Sequence, residues 1–86
     1  MKVSVELTLS PLQDDYENEI IRFIKALRAS GLTVLENPLS TQVFGDYEQV
    51  MDLLRTEMRR SLEAVGQAVF LIKLVKTDRS AYEPHF

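Results

Sequence analysis

The fold of this chain is decided by the stretch Asn37-Pro38-Leu39-Ser40-Thr41-Gln42-Val43-Phe44-Gly45-Asp46. The Asn37-Pro38 pair breaks whatever strand precedes it and predicts a turn. Residues 41–44 then predict a strand. Gly45 ends that strand, and Asp46 offers a carboxylate that can cap the first turn of a helix. A turn, a strand and a helix start therefore follow one another within a single short stretch.

Three further strands are predicted on either side of this stretch. Residues 32–36 form one, and the short link to residues 41–44 makes the pair an antiparallel hairpin. Residues 68–75 form a long apolar strand near the end of the chain. The first strand shows a period of two, which predicts that one of its faces is buried. Pro11 ends this strand. In it Val3, Val5, Leu7 and Leu9 alternate with Ser4, Glu6, Thr8 and Ser10.

Two amphipathic helices are predicted from apolar residues spaced three and four apart. The first begins after a cap at Asp14 or Asp15 and stops at Gly31; its apolar stripe comprises Tyr16, Ile20, Phe23, Ile24 and Leu27. The second stops at Gly66, and its stripe comprises Val50, Leu54, Met58, Leu62 and Val65. The solvent side of the second helix is expected to carry Arg55, Glu57, Arg59, Arg60 and Glu63.

The predicted order is strand, helix, strand, strand, helix, strand. Each half is a strand-helix-strand unit with a right-handed crossover. Interleaving the halves predicts an α+β, ferredoxin-like βαββαβ sandwich, in which a four-stranded antiparallel sheet carries both helices on one face. We expect one domain, residues 1–77, followed by a partly disordered tail, residues 78–86.

Composition restricts the possible functions. The 86 residues are 45% hydrophobic, carry a net charge of −3 and include no cysteine. These values exclude a disordered chain, a disulfide frame and a thiolate metal site. The mixed charges provide no basic stripe for nucleic acid, and no apolar run approaches the roughly 20 residues of a membrane helix. The amino terminus has a glutamate where a signal peptide needs an apolar run. We therefore expect a soluble, cytoplasmic protein.

One face of the sheet is expected to lack a helical cover. If Phe70, Ile72 and Leu74 face the helices, the alternate residues Val69, Leu71 and Val75 point outward beside Lys73. Apolar residues on an otherwise open face indicate a second subunit. Glu6, Thr8 and Ser10 should share that face, so an assembly through it would enclose polar groups in an apolar frame, as in a small-molecule pocket.

The usual catalytic groups are missing from the predicted elements. His85, the only histidine, lies in the tail without a positioned partner. The acidic run Asp14, Asp15 and Glu17 fits a helix start, and no glycine belongs to a phosphate-binding loop. We therefore expect no enzyme, no metal and no cofactor. A small monooxygenase or isomerase on the same fold is the enzymatic alternative.

Several polar residues have two open interpretations. Glu6 either contacts a ligand or has a structural role, solvated or held in a subunit interface. Ser40 and Thr41 either bind a ligand or satisfy the backbone of the turn after Pro38. Alternation places Phe44 on the open face, where its ring could stack on a flat ligand.

Three segments carry a family resemblance: residues 5–12 (Val-Glu-Leu-Thr-Leu-Ser-Pro-Leu), residues 30–32 (Ser-Gly-Leu) and residues 38–46 (Pro-Leu-Ser-Thr-Gln-Val-Phe-Gly-Asp). Together they resemble the small thiamine-binding proteins, whose tandem-repeat members bind thiamine or its hydroxymethylpyrimidine part. The resemblance covers Val3 to Lys76. This chain departs from the family pattern at Gln13, where many members have glycine, and at Phe44, where some members have a carboxylate.

The resemblance implies a ferredoxin-like subunit that forms dimers or tetramers through its sheets and binds without catalysis. It implies ligand contacts at Thr41, with Ser40 and Gln42 beside it, and then at Ser10 and Leu12. Our hypothesis is a homo-oligomeric binding protein for thiamine or hydroxymethylpyrimidine, in vitamin supply or salvage. The alternative is a regulatory or interaction module that senses another metabolite or a protein. The complete set of candidate ligand contacts is Glu6, Thr8, Ser10, Leu12, Ser40, Thr41, Gln42 and Phe44.

Overall fold

Four strands and two helices make up the chain in the computed structural model, which describes residues 1–86. The sheet is antiparallel throughout, with the strand order β2-β3-β1-β4. This arrangement confirms the predicted ferredoxin-like fold. Neither helix has the length and apolar character needed to cross a bilayer. The elements are β1 (Lys2–Pro11), α1 (Glu17–Arg28), β2 (Thr33–Glu36), β3 (Thr41–Asp46), α2 (Tyr47–Ala64) and β4 (Ala68–Lys76).

β1 is one of the two central strands, and its inward side chains form the middle of the core. Burying apolar side chains of this size stabilises a fold by about 1.5–3 kcal/mol each. The helices pack over this face of the sheet, so the core lies between the two layers. Its buried members are Val3, Val5, Leu7 and Leu9 of β1 with Phe23, Leu27, Val43, Val50 and Leu54.

β1 extends one residue further than predicted and includes Pro11, which pairs with Ala68. The ladder even continues past the proline, because the Leu12 N–H donates to the Gln67 carbonyl at 2.9 Å. Successive N–H groups of a strand point to opposite sides, so the N–H that Pro11 lacks would point away from β4. On that side the pairing with β3 has already ended at Leu7 and Thr41. The proline therefore removes no ladder hydrogen bond.

Neither predicted helix cap forms. Tyr16, not Asp14 or Asp15, occupies the N-cap position of α1, and it is exposed rather than part of the apolar stripe. Asp46 does occupy the N-cap position of α2, but its side chain makes no capping hydrogen bond. Instead its Oδ1 lies 3.3 Å from the Lys2 Nζ. The reason is the sheet register, which sets Lys2 directly opposite Asp46.

The buried stripe of α2 changes from apolar to polar along the helix. Val50 and Leu54 are buried as predicted, but Glu57 and Ser61 follow them into the interior, and Leu62 is half exposed. The prediction that placed Glu57 on the solvent side and Leu62 in the core is wrong. At about 100° per residue, Ser61 lies only about 20° from the direction of Val50, whereas Leu62 lies about 120° away.

Glu57 and Ser61 meet α1 in an interhelix ionic cluster that also contains Glu19 and Arg22. The Arg22 Nε lies 2.8 Å from Glu19 Oε2, and its Nη1 lies 2.9 Å from Glu57 Oε1. Its Nη2 donates to the Ser61 Oγ at 3.0 Å, and that hydroxyl donates to Glu19 at 2.5 Å. Burial alone lowers the pKa of Arg22, but the hydrogen bonds to Glu57 and Glu19 outweigh it and raise the pKa above its usual range.

We expect Arg22→Leu to reduce the free energy of unfolding by about 2–3 kcal/mol, because it leaves two carboxylates in the helix interface without their shared cation. This value is below that of a fully buried pair because the arginine is partly exposed. Urea unfolding followed by circular dichroism measures the loss.

Arg59→Leu is the matched control, since it breaks an exposed pair with Glu63 and should change stability by no more than about 0.5 kcal/mol. Equal losses in the two variants would contradict a structural role for the cluster.

Candidate functional site

The sheet has an open face, which we define as the face opposite the helices. Sheet register assigns its residues: Phe44 and Gln42 lie opposite Ser4 and Glu6. β4 is oriented as predicted, because Phe70, Ile72 and Leu74 lie opposite the core residues of β1. The open face of β4 therefore carries Val69, Leu71, Lys73 and Val75.

The C-terminal segment, residues 77–82, turns back after β4 and lies against this open face. Thr77 has a φ of +128°, a conformation that non-glycine residues adopt rarely, and its N–H donates to the Lys2 carbonyl at 3.0 Å. The Ser4 hydroxyl then joins the segment to β1, donating to the Thr77 carbonyl at 2.7 Å and accepting from the Arg79 N–H at 2.9 Å. The buried Ser4 is thus the anchor of the segment.

A second turn shapes the same segment. The Asp78 carboxylate accepts the Ser80 N–H at 2.9 Å, and hydrogen bonds from Ser80 lower the pKa of Asp78. The Tyr82 N–H donates to the Arg79 carbonyl at 3.1 Å. The Arg79 guanidinium carbon lies 5.0 Å from the centre of the Tyr82 ring. These contacts bring both side chains over the sheet.

A pocket of about 310 Å³ lies between the C-terminal segment and the open face. This volume is at the small end of the range for small-molecule sites and suits one substituted ring. Phe44, Val75 and Tyr82 supply apolar surface, and Phe44 is 94% buried there (6% exposed). The polar lining consists of Ser4, Glu6, Gln42, Lys73 and Arg79.

Glu6 is the positioned carboxylate of this pocket. Its Oε2 accepts the Ser40 hydroxyl at 3.0 Å and lies 3.5 Å from the Gln42 Nε2. Its Oε1 makes only a long ion pair of 3.8 Å with the Lys73 Nζ. One oxygen is therefore fixed by neighbours, and the other retains capacity to accept a hydrogen bond from a ligand.

The structure brings four of the predicted residues together around this carboxylate. Gln42 and Phe44 line the pocket beside Glu6, and Ser40 reaches the same carboxylate from the turn before β3. The hydrogen bonds from Ser40 and Gln42 thus hold the Glu6 side chain at the wall of the pocket.

Thr41 lies on the other side of the sheet. It pairs with the core residue Leu7 and is buried. A second pocket of about 200 Å³ lies on this helix side, between α1 and the turn before β3. Thr41 lines it with Leu39 and Phe23, and Thr8 and Ser40 also belong to its lining. The Thr8 hydroxyl donates to the Leu39 carbonyl across 3.4 Å.

Ser10 and Leu12 line neither of these pockets. Ser10 is four residues beyond Glu6 on β1, a distance of about 13 Å at the usual strand rise. It pairs with Val69 near the end of the sheet. The predicted contacts are thus divided among the open-face pocket, the helix-side pocket and the end of β1.

Six residues that line the open-face pocket are absent from the predicted set, among them the core residue Val5. Ser4, Lys73 and Val75 share the face of Glu6, so the alternation of the strands contained the signal for them. Arg79 and Tyr82 had no such signal, because their positions depend on the turn at Thr77.

The other candidate groups do not gather into a further site. His85 lies near the end of the chain, where its ring packs edge-on against Phe86 at 5.5 Å. No three histidine, aspartate or glutamate side chains are grouped so that they could hold a metal ion.

Solved structures of the same fold come from several organisms. A Thermotoga maritima protein, provisionally described as a thiamine biosynthesis/salvage protein, matches with a TM-score of 0.80 and 23% identity, over 90% of this chain and 85% of its own. A Streptococcus pneumoniae protein matches with a TM-score of 0.84 and 21% identity, over 91% and 89%. A Bacillus cereus domain of unknown function, DUF77, matches with a TM-score of 0.77 and 15% identity, over 91% and 78%.

No protein-family model matches this chain, and no curated protein is significantly similar to it. The three structural matches have identities of 23% or less, so what they establish is a shared fold.

We expect Ser4→Ala to loosen the C-terminal segment, because the Arg79 N–H loses its acceptor and the Thr77 carbonyl loses its donor. Losing about 1 kcal/mol of local stability would speed amide exchange at Arg79 by about fivefold. Hydrogen exchange followed by NMR measures this rate. Ser10→Ala, on the same face of the same strand, should leave it unchanged; an unchanged rate in Ser4→Ala would show that the hydroxyl does not anchor the segment.

Proposed function

We propose that this chain binds thiamine, or the hydroxymethylpyrimidine part of thiamine, without catalysing a reaction on it, in supply or salvage of the vitamin. The observation that carries the proposal is the open-face pocket, where an oriented carboxylate stands beside a buried aromatic ring. The name of the Thermotoga maritima structure supports the choice of ligand. The sequence resemblance at residues 5–12 and 38–46 supports the same choice.

The chemistry of an aminopyrimidine matches this pocket. Its exocyclic amino group is a donor that can pair with the Oε1 of Glu6, which has only the long contact with Lys73, while Ser40 and Gln42 hold Oε2 in place. The flat ring can lie against Phe44, and Tyr82 closes the pocket from the C-terminal segment. A buried polar group that loses its partner costs about 1–3 kcal/mol, so a ring without the amino group would bind more weakly.

Isothermal titration calorimetry with thiamine and hydroxymethylpyrimidine tests this function. We expect both compounds to bind, and Glu6→Gln to weaken hydroxymethylpyrimidine about tenfold or more, because a hydrogen bond to a charged acceptor is replaced by one to a neutral amide.

Thr41→Val is the matched variant on the helix side and should retain the affinity. Loss of binding in Thr41→Val with full affinity in Glu6→Gln would place the ligand in the helix-side pocket instead. No heat from either compound at high micromolar concentration would overturn the proposed function.

Self-association through the open face is the second part of the proposal. Beyond the C-terminal segment this face retains exposed apolar side chains, among them Leu71, which is 65% exposed, with Val69 and Leu35 also accessible. Such side chains next to a pocket are typical of a subunit interface. A second copy packed there, in a dimer or tetramer, would also shield the pocket from solvent.

We expect Leu71→Asp to produce monomers, since a charge on this face would be buried in the interface without a partner. Size-exclusion chromatography with light scattering gives the mass directly. Leu39→Asp is the control, because Leu39 is also highly exposed but lies in the turn between β2 and β3. The interface would lie elsewhere if Leu71→Asp kept the mass of the unmodified oligomer.

A further inference from the structure

We propose that Arg79 makes the open-face pocket selective for a ring that carries an anionic ester, of which a phosphate monoester is the simplest. This inference rests on the proposed function for the identity of the ring. The C-terminal segment would then supply the group that distinguishes the phosphorylated from the unphosphorylated ligand.

The net charge of the pocket is opposite in sign to the net charge of the whole chain. The chain carries a net charge of −3, yet the pocket contains the two cations Lys73 and Arg79 and the single carboxylate of Glu6. Lys73 already faces Glu6 at 3.8 Å. The pocket therefore retains one positive charge without a counter-ion.

Arg79 is the cation in the pocket that lacks a counter-ion. The chain has seven ion pairs, and none of them includes Arg79. Its guanidinium instead lies 5.0 Å from the centre of the Tyr82 ring, a cation–π distance that restricts the side chain to the pocket wall. A guanidinium that is held on an aromatic ring and keeps its donors free is suited to bidentate binding of a phosphate.

A backbone hydrogen bond holds the main chain of Arg79 close to the strand that carries Glu6. The Arg79 N–H is bound to Ser4, which precedes Glu6 by two residues on the same face of β1. Two residues of strand span about 7 Å. Glu6 and Arg79 line the same pocket, so one ligand can present an amino group to Glu6 and an ester to Arg79.

The same charges disfavour a ligand that is purely cationic. The thiazolium ring of thiamine is positively charged, so the free cation in the pocket opposes it. An ester phosphate on the ligand cancels this repulsion and adds charge-assisted hydrogen bonds. We therefore expect each phosphate ester to bind more tightly than its parent alcohol.

The experiment is calorimetry on the full chain with thiamine, thiamine monophosphate, hydroxymethylpyrimidine, hydroxymethylpyrimidine phosphate and inorganic phosphate. We expect each ester to bind about tenfold or more tightly than its parent. Arg79→Gln should remove this advantage, so that each ester and its parent bind the variant equally, whereas Arg79→Lys should retain part of it. Arg55→Gln, which removes another exposed arginine outside the pocket, should behave like the unmodified chain.

Two results would overturn the role of Arg79 while leaving vitamin binding intact: equal affinities for ester and parent, or an ester advantage that survives in Arg79→Gln. Binding of inorganic phosphate with no binding of any ring compound would overturn both proposals, because the site would then recognise only the anion. Thermal unfolding of each variant confirms that it is folded, and the exposed position of Arg79 predicts little change.

Discussion

The alternation of side chains along β1 is the constraint on which both the core and the site depend. One set, Val3 to Leu9 at every second position, is sealed under the helices, and the set between them faces the opposite side. A shift of one residue in the pairing with β3 would turn each buried side chain of the shifted strand to the open face, and each open-face side chain to the core. The register that places Val5 opposite Val43 is therefore the same register that places Glu6 opposite Gln42. The core and the lining of the open-face pocket are set by one pairing.

The C-terminal segment converts the open face from a flat sheet into a pocket. Flat sheets offer a ligand contact on one side only, whereas binding sites enclose most of their ligand. Here the hydroxyl of Ser4 joins two backbone groups of the segment to β1. Glu6 on the sheet and Arg79 on the segment then face a shared space with opposite charges. The proposed selectivity depends on this connection between the end of the chain and its beginning.

Much of the fold could be predicted because it depends on local periodicity. The order of the elements, the outward direction of Leu71 and the open-face position of Phe44 all follow from a period of two or 3.6 residues. Hydrophobicity does not reveal the interhelix ionic cluster, because the buried face of α2 is set by the angle around the helix and includes the polar residues Glu57 and Ser61. The family resemblance groups Thr41 with Ser40 and Gln42 as ligand contacts, but consecutive strand residues point to opposite faces. Arg79 and Tyr82 depend on the rare backbone conformation at Thr77, which no periodicity encodes.

NMR mapping of the uniformly labelled full chain during titration with hydroxymethylpyrimidine tests most directly whether the open face is the site. The account predicts that the largest chemical-shift changes fall on the amides of Glu6, Gln42, Phe44 and Arg79, with little change at Ile20 or Leu39 on the helix side. Changes concentrated at Ile20, Leu39 and Thr41, or no changes at saturating ligand, would contradict it.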